Sequence, residues 1–320
     1  MTKTYSIAYT KKGDEMKVYD NVCELIGNTP IVRLKKVEKE YATDCKIYAK
    51  LEKNNPGGSI KDRVAYQMIK DGIKEGKISQ NTTIIEATSG NTGVGLAMVC
   101  AYLNLKLIVV MSEAASEERK KLVKAYGGEV ILTPKDEGIE GAIQKAKELE
   151  QQIDNAYYIN QFFNLSNPLV HYFSTAEEIW ADLDGKIDIV IMGMGSSGTI
   201  TGIAKKLKIK DEKIKIIGVE PKGCPFYSKG EIGICNLPGI GTTFLPGVLD
   251  TDVIDEIVTV DDKDAKLECL RVARLEGLFV GISSGAVLAA LRQKIDEGLL
   301  KGENILLVFP DTGERYLSIL

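Results

Sequence analysis

The sequence predicts an α/β fold of two open, twisted α/β lobes. Three observations predict it. Apolar strand-like runs alternate with amphipathic helical stretches almost throughout, polar glycine-bearing loops follow several of those runs, and no low-complexity linker or short-period repeat interrupts the chain. Such alternation calls for parallel strands covered by helices, and 320 residues suffice for two lobes of ordinary size. The lobes are placed at residues 1–160 and 161–320, meeting near Tyr158 to Pro168.

In chain order, the turn "NPGG" opens a helix that carries Lys61 in its first turn and continues through Ala65 and Ile69. Residues 83–87 read as a strand feeding a helix at 93–102, and 106–111 as a strand feeding 117–126. Residues 129–132 precede a long charged helix at 139–154. The rhythm returns with strands at 187–192, 214–219 and 305–309, the first followed by a helix at 200–207. Charged stretches at 117–124 and 145–152 have helical spacing with apolar residues interleaved, which describes solvated helix faces.

Composition narrows the function. Hydrophobic residues make up 44% and charged residues 27%, and the net charge is -4. Nothing here calls for nucleic acid or an anionic membrane as partner. No apolar run reaches the roughly 20 residues that cross a bilayer, and the first fifteen residues lack a signal-peptide core, so a cytoplasmic protein is expected. Residues up to Asp14, ahead of Met16, read as a leader without a catalytic role. Six scattered cysteines without a C-x-x-C pair read as reduced, structural thiols. The lone His171 cannot build a multi-histidine metal site and reads as a packed, hydrogen-bonded imidazole; no metal is expected.

Four loops carry the chemistry. "NNPGGSIKDR" places Lys61 where its charge opposes the helix dipole; that depresses an amine's pKa, as Schiff-base formation requires, although a solvent-facing lysine would read the same alone. "EATSGNTGVG" offers Thr88, Ser89, Asn91 and Thr92 between a strand and a helix, either a carboxylate or phosphate cradle or an elaborate helix cap. "GMGSSGT" has the G-x-G-x-x-G spacing, and Glu220 follows about twenty positions on, where a dinucleotide binder keeps its ribose acid. That motif alone would indicate an NAD-dependent oxidoreductase, but it suits a phosphate monoester equally well. "VGISSGAV" sets Ser283 and Ser284 between a strand-like run and a helix. Together the loops meet the needs of pyridoxal 5'-phosphate: Schiff base, substrate carboxylate, phosphate and pyridine nitrogen. A nicotinamide enzyme leaves the first two loops unexplained.

From "LIGNTPIVRL" to "PDTGERYLS", through "NPGGSIKDR", "ATSGNTG", "NQFFNLSNP", "GVEP", "PGIGTTFLP" and "VGISSGA", the chain resembles the cysteine synthase and cystathionine β-synthase family of pyridoxal-phosphate enzymes. The resemblance implies the tryptophan synthase β-like fold, known as fold type II, with the cofactor between the lobes. It implies that Lys61 forms the Schiff base and acts as general base at Cα. Asn91 would bond the cofactor's phenolic oxygen, Gly195, Ser196, Ser197, Gly198 and Thr199 would cradle its phosphate, and Ser283 would face its pyridine nitrogen. Thr88, Ser89, Thr92, Gln161 and Gly241 would bind substrate, and Glu220 becomes part of "VEP". A neutral hydroxyl does not hold the pyridine nitrogen protonated, which weakens the electron sink and favours proton removal coupled to loss of a β-substituent, hence β-replacement through an aminoacrylate.

The chain also departs from the family. Ala114 and Ala115 stand where cysteine synthases usually carry threonine and methionine, Ser196 and Ser197 replace a threonine and a glycine in the phosphate loop, and Thr242 and Thr243 follow "GIG" where alanine and glycine are common. The expected reaction is cysteine synthesis from O-acetyl-L-serine and sulfide. The alternative consumes cysteine, releases hydrogen sulfide and yields lanthionine, cystathionine or serine. The resemblance further implies a homodimer and amino-acid and thiol or sulfide substrates; some relatives dock a serine acetyltransferase, a partner the sequence leaves open. A full-length animal-type cystathionine β-synthase is not expected.

Overall fold

The computed structural model describes residues 18–320, so the expectation for the leader lies outside the described residues. The chain runs β1 (Ile31–Arg33), α1 (Lys35–Glu40), β2 (Lys46–Leu51), α2 (Lys61–Lys74), β3 (Thr83–Ala87), α3 (Asn91–Leu103), β4 (Lys106–Ser112), α4 (Glu117–Ala125), β5 (Glu129–Thr133), α5 (Gly138–Gln152) and β6 (Ala156–Tyr158). It continues through α6 (Ser166–Val170), a π-helical segment (His171–Thr175), α7 (Ala176–Asp182), β7 (Ile189–Gly193), α8 (Gly198–Lys210), β8 (Lys215–Pro221), α9 (Phe226–Lys229), β9 (Glu256–Val260), α10 (Asp262–Glu276), α11 (Ile282–Asp296) and β10 (Asn304–Phe309).

Two sheets result, a six-stranded one in the order β1-β2-β10-β7-β8-β9 and a four-stranded one in the order β5-β4-β3-β6. Every ladder is parallel except β1 against β2. The α/β expectation therefore holds, and each expected strand lies within a few residues of its place. The division at residue 160 needs correction. β1 and β2 pair into the six-stranded sheet, with β2 lying parallel to β10 from Lys46 opposite Asn304 to Leu51 opposite Phe309. The large sheet is thus closed by both ends of the sequence.

β2 escaped the sequence reading for a physical reason. Lys50 breaks its apolar run, yet that side chain is fully buried. Its ammonium donates to the Thr29 carbonyl at 2.6 Å and pairs with Glu178 at 2.8 Å. A paired charge can sit where an isolated one could not.

Each sheet is covered on both faces. One face of the large sheet packs on α1, α10 and α11 through residues such as Ile47, Ile191, Leu288 and Phe309. The other packs on α7 and α8 through Ile179, Val190, Ile203 and Leu306. The small sheet packs on α2 and α3 through Met68, Ile84, Leu96 and Val109, and on α5 through Ile85, Ala146 and Leu149. β3 is buried along its whole length, as a strand central to such a layer must be.

α2 links the two sheets. Its Arg63 forms a bidentate pair with Glu52, both contacts at 2.8 Å, and reaches Glu178 at 2.6 and 2.7 Å. Residues two apart on a helix point to nearly opposite sides, so this clamp on Arg63 turns Lys61 the other way. Replacing Arg63 by methionine is expected to cost about 3–5 kcal/mol, because the buried Glu52 loses its counter-charge and Glu178 keeps only Lys50. Equilibrium urea denaturation of Arg63→Met measures it, and a loss below about 1 kcal/mol would contradict the role given to the clamp.

Candidate active site

Three of the loops follow the parallel strands β2, β3 and β7, at whose carboxyl ends ligands of open α/β sheets collect. The fourth, expected after a strand, instead joins α10 to α11 and meets the segment after β10 through the Gly281 N–H and the Asp311 carbonyl. Lys61 opens α2, and its ammonium lies 3.4 Å from Ser196 Oγ in the loop between β7 and α8. Desolvation pulls the Lys61 pKa down to about 8, against the opposing attraction of Asp311. The cause is burial, with no resolved role for the helix dipole invoked from sequence.

The loop before α8 is built for close approach. A Cβ on Gly195 would strike the Gly239 carbonyl, and one on Gly198 would strike the side chain of Asn167. The first N–H groups of α8 lack intrahelical acceptors, so they can face an anion. Ser197 holds a φ of 65°, a left-handed conformation that costs a serine more than the glycine of the family pattern. Its hydroxyl bonds Tyr227 OH at 2.8 Å, and Tyr227 in turn donates to the Gly195 carbonyl at 2.6 Å. Thr199 Oγ1 lies 3.2 Å from His171 Nε2, while Thr175 Oγ1 lies 3.0 Å from Nδ1. Burial first, then the charges of Lys61 and Arg63, push the His171 pKa well down and keep the imidazole neutral. The packed histidine expected from sequence is thus a hydroxyl-bonded support of the phosphate-type loop.

The second loop divides. Thr92 donates to Gln161 Oε1 at 2.7 Å, and Gln161 Nε2 donates to the buried Glu86 at 3.0 Å. Thr88 is buried and accepts from the Gly90 N–H at 3.1 Å. Ser89 is exposed. Asn91 meets Asp311 and Arg315 from beyond β10. Asn167 joins the second and third loops, donating to the Gln161 carbonyl at 2.8 Å and to Ser196 Oγ at 3.3 Å. Ser283 is buried in the first turn of α11. Gly241, with a φ of 87°, donates its N–H to the Met194 carbonyl at 2.7 Å, so that group is spent within the protein.

Sequence reasoning assigned no role to Asp311, Arg315, Glu86, Asn167 or Tyr227. The first four lie inside the quoted motifs "PDTGERYLS", "EATSGNTGVG" and "NQFFNLSNP"; Tyr227 carried no signal. Among the cysteines, Cys224 and Cys235 are joined as a disulfide, which corrects the expectation of reduced thiols throughout; the other four are free and buried. That bond sits beside Gly241, since the Cys235 sulfur packs against it and Cys224 lies 3.3 Å from the Thr242 carbonyl. Ala115, which stands where cysteine synthases usually carry methionine, is buried against the core of the small sheet.

Among the described residues, no cluster of His, Cys, Asp or Glu could hold a metal ion, and no helix is long and apolar enough to cross a membrane. A desolvated amine beside a glycine cradle at a helix start fits pyridoxal phosphate, with the amine for its aldehyde and the cradle for its phosphate. Buried oxygens of Asn167, Ser284 and Asp311 that lack hydrogen-bond partners show further polar capacity around that space.

Fold and site therefore define a lysine-centred cofactor enzyme of the α/β class. Residues 22–311 match the family described as "Pyridoxal-phosphate dependent enzyme", and the chain belongs to that family. It is 48% identical over 306 residues to cysteine synthase B of Campylobacter jejuni, covering 95% of this chain and 98% of that one. It is 46% identical over 304 residues to a cysteine synthase of Staphylococcus aureus, covering 94% and 96%. The crystal structure of a hydrogen sulfide-producing enzyme from Fusobacterium nucleatum superposes with a TM-score of 0.91 at 43% identity, covering 94% of this chain and 100% of that one.

The Lys61 amine should titrate apart from the other lysines. In the apoprotein, competitive acetylation read by mass spectrometry is expected to give Lys61 a midpoint near 8, below the ordinary lysine value of 10.5. A midpoint at the ordinary value would contradict the desolvated site.

Proposed function

We propose that this protein makes L-cysteine from O-acetyl-L-serine and sulfide by pyridoxal-phosphate-dependent β-replacement. The observation that carries the reading is the desolvated Lys61 amine set against Ser196 of the glycine cradle. The relatives named cysteine synthase support the choice of substrates. When bound, pyridoxal phosphate supplies the electron sink for charge developing at the amino acid's Cα.

In this reading Gly195, Ser196, Ser197, Gly198 and Thr199 hold the phosphate, Asn91 the phenolic oxygen, and Ser283 presents a neutral hydroxyl to the pyridine nitrogen. Thr88, Ser89, Thr92 and Gln161 hold the substrate carboxylate. Thr92 spends its proton on Gln161 in the resting site, so binding a carboxylate would redirect that hydroxyl. Gly241 enters through the loop it shapes rather than through its N–H. Lys61 Nζ takes the Cα proton, and an amine with a pKa of about 8 supplies free base near neutrality more readily than an ordinary lysine does. Acetate leaves Cβ, hydrosulfide adds there, and Lys61 returns the proton to Cα.

A second reading has a specific motive. Ala114 and Ala115 replace larger residues, and the similar Fusobacterium nucleatum enzyme is described as hydrogen sulfide-producing. That reading starts from cysteine, expels sulfide and adds water or a bulkier thiol. Parallel assays separate the two. O-acetyl-L-serine with sulfide is expected to give cysteine faster than L-cysteine alone gives sulfide; the reverse order, with lanthionine or serine appearing, would overturn the first reading.

A homodimer in the cytoplasm completes the proposal. Leu165, Leu169 and Phe173 recur four residues apart along the helical run from α6 into the π segment and are 64%, 46% and 68% exposed. Beside them, a cavity of about 380 Å³ is lined by apolar residues such as Ile26, Tyr66 and Phe173 and by polar ones such as Gln67, Arg63 and Glu178. An apolar stripe flanked by such a hollow suits a self-complementary contact. Light scattering after size exclusion should give twice the chain mass for the wild type and the single chain mass for Phe173→Glu; a monomeric wild type would refute the dimer.

A further inference from the structure

The segment after β10 meets three of the four loops, and the meeting point is one buried carboxylate. Asp311 has no exposed surface. Its neighbour Pro310 accepts from the Ile60 N–H at 2.8 Å, and Asp311 itself forms an antiparallel bridge with Ser59, beside the lysine turn. Its backbone carbonyl accepts from the Gly281 N–H at 3.1 Å, just ahead of α11. Its side chain accepts from Asn91 Nδ2 at 2.7 Å and from Tyr316 OH at 2.5 Å, both at Oδ2. Oδ1 has no hydrogen-bond partner and packs where a Cβ on Gly281 would lie.

Arg315, four residues on, donates to Asn91 Oδ1 and to the Gly57 carbonyl. The Asn91 amide is therefore gripped at both ends. Its oxygen faces a guanidinium and its nitrogen faces a carboxylate. A flipped amide would set N–H against the guanidinium and C=O against the carboxylate, losing two charge-assisted hydrogen bonds. One N–H of Asn91 remains unspent.

We propose that Asp311 and Arg315 are positioning residues that fix the Asn91 amide in one orientation, so that its remaining N–H is presented to the phenolic oxygen of the bound cofactor. This rests on the reading above that Asn91 faces that oxygen. Both residues reach the cofactor's oxygen through Asn91; Asp311 also attracts the Lys61 amine, and Arg315 also holds the Gly57 carbonyl of the lysine turn.

Titrating the apoprotein with pyridoxal phosphate and following the visible band tests this without any substrate. Asn91→Ala and Asp311→Asn are each expected to weaken cofactor binding roughly tenfold, the scale of one hydrogen bond to a charged group. The double variant should bind no more weakly than either single one, because the second change removes nothing that still works. Tyr316→Phe, which frees Oδ2 from its other donor but leaves Asn91 gripped, should keep wild-type affinity.

Multiplied losses in the double variant, an unchanged Asp311→Asn, or a Tyr316→Phe loss equal to that of Asp311→Asn would each overturn the proposal. Unchanged affinity in Asn91→Ala would overturn the assignment of Asn91 to the cofactor and this proposal with it. If Asp311→Asn is not recovered folded, Arg315→Gln releases the other end of the amide and carries the same expectation of non-additivity.

Discussion

The buried guanidinium of Arg63 is the contact on which the lysine site depends. It joins the start of α2 to Glu52, which follows β2, and to Glu178 on α7, so one side chain ties three elements of distant sequence together. Burial alone would raise the Glu178 carboxyl; hydrogen bonds and charge from Arg63, with help from Lys50, outweigh it and hold the pKa down at about 2. Such pairs contribute modestly while intact and cost heavily when broken, because the partner left behind cannot recover water. What this one secures is direction. With Arg63 held against the large sheet, Lys61 is turned toward the phosphate-type loop.

The site is wired by hydrogen bonds that cross between the sheets. Thr92, Gln161 and Glu86 form one chain under the small sheet, and Asn167 carries it across to Ser196. Asn91, Asp311 and Tyr316 form another, reaching the start of α11 through Gly281. A third, from Ser197 through Tyr227 to Gly195, braces the strained serine in the cradle. A loop held at both ends by such chains presents its free N–H groups with little left to reorganise when a ligand arrives.

Charge in this region is governed by desolvation. Burial lowers the Lys61 amine and the His171 imidazole and raises the Glu86 carboxyl to about 8, opposed there by hydrogen bonds from Gln161 and Asn160. All three shifts favour the neutral form. A site poised this way leaves the negative charge of a phosphate and of an amino-acid carboxylate to be met by backbone N–H groups and hydroxyls. It also leaves Lys61 able to exchange a proton near neutrality.

What the sequence determined by itself was local. Strand and helix periodicity placed the central elements, such as β3, β4 and β10, since burial on both faces demands continuous apolar runs that need no partner to be recognised. The glycine and hydroxyl spacing of the loops, with Lys61 at a helix start, pointed to a cofactor with a carbonyl and a single phosphate, and motif order supplied the family. Tertiary structure decided the rest. The pairing of β2 with β10 depends on a buried Lys50 whose counter-charge lies on α7. The grip of Asp311 and Arg315 on Asn91 spans some two hundred residues of chain. Neither is legible in a linear text, because a buried charge or amide is tolerable only where its partner arrives in space, and sequence spacing carries no record of that arrival.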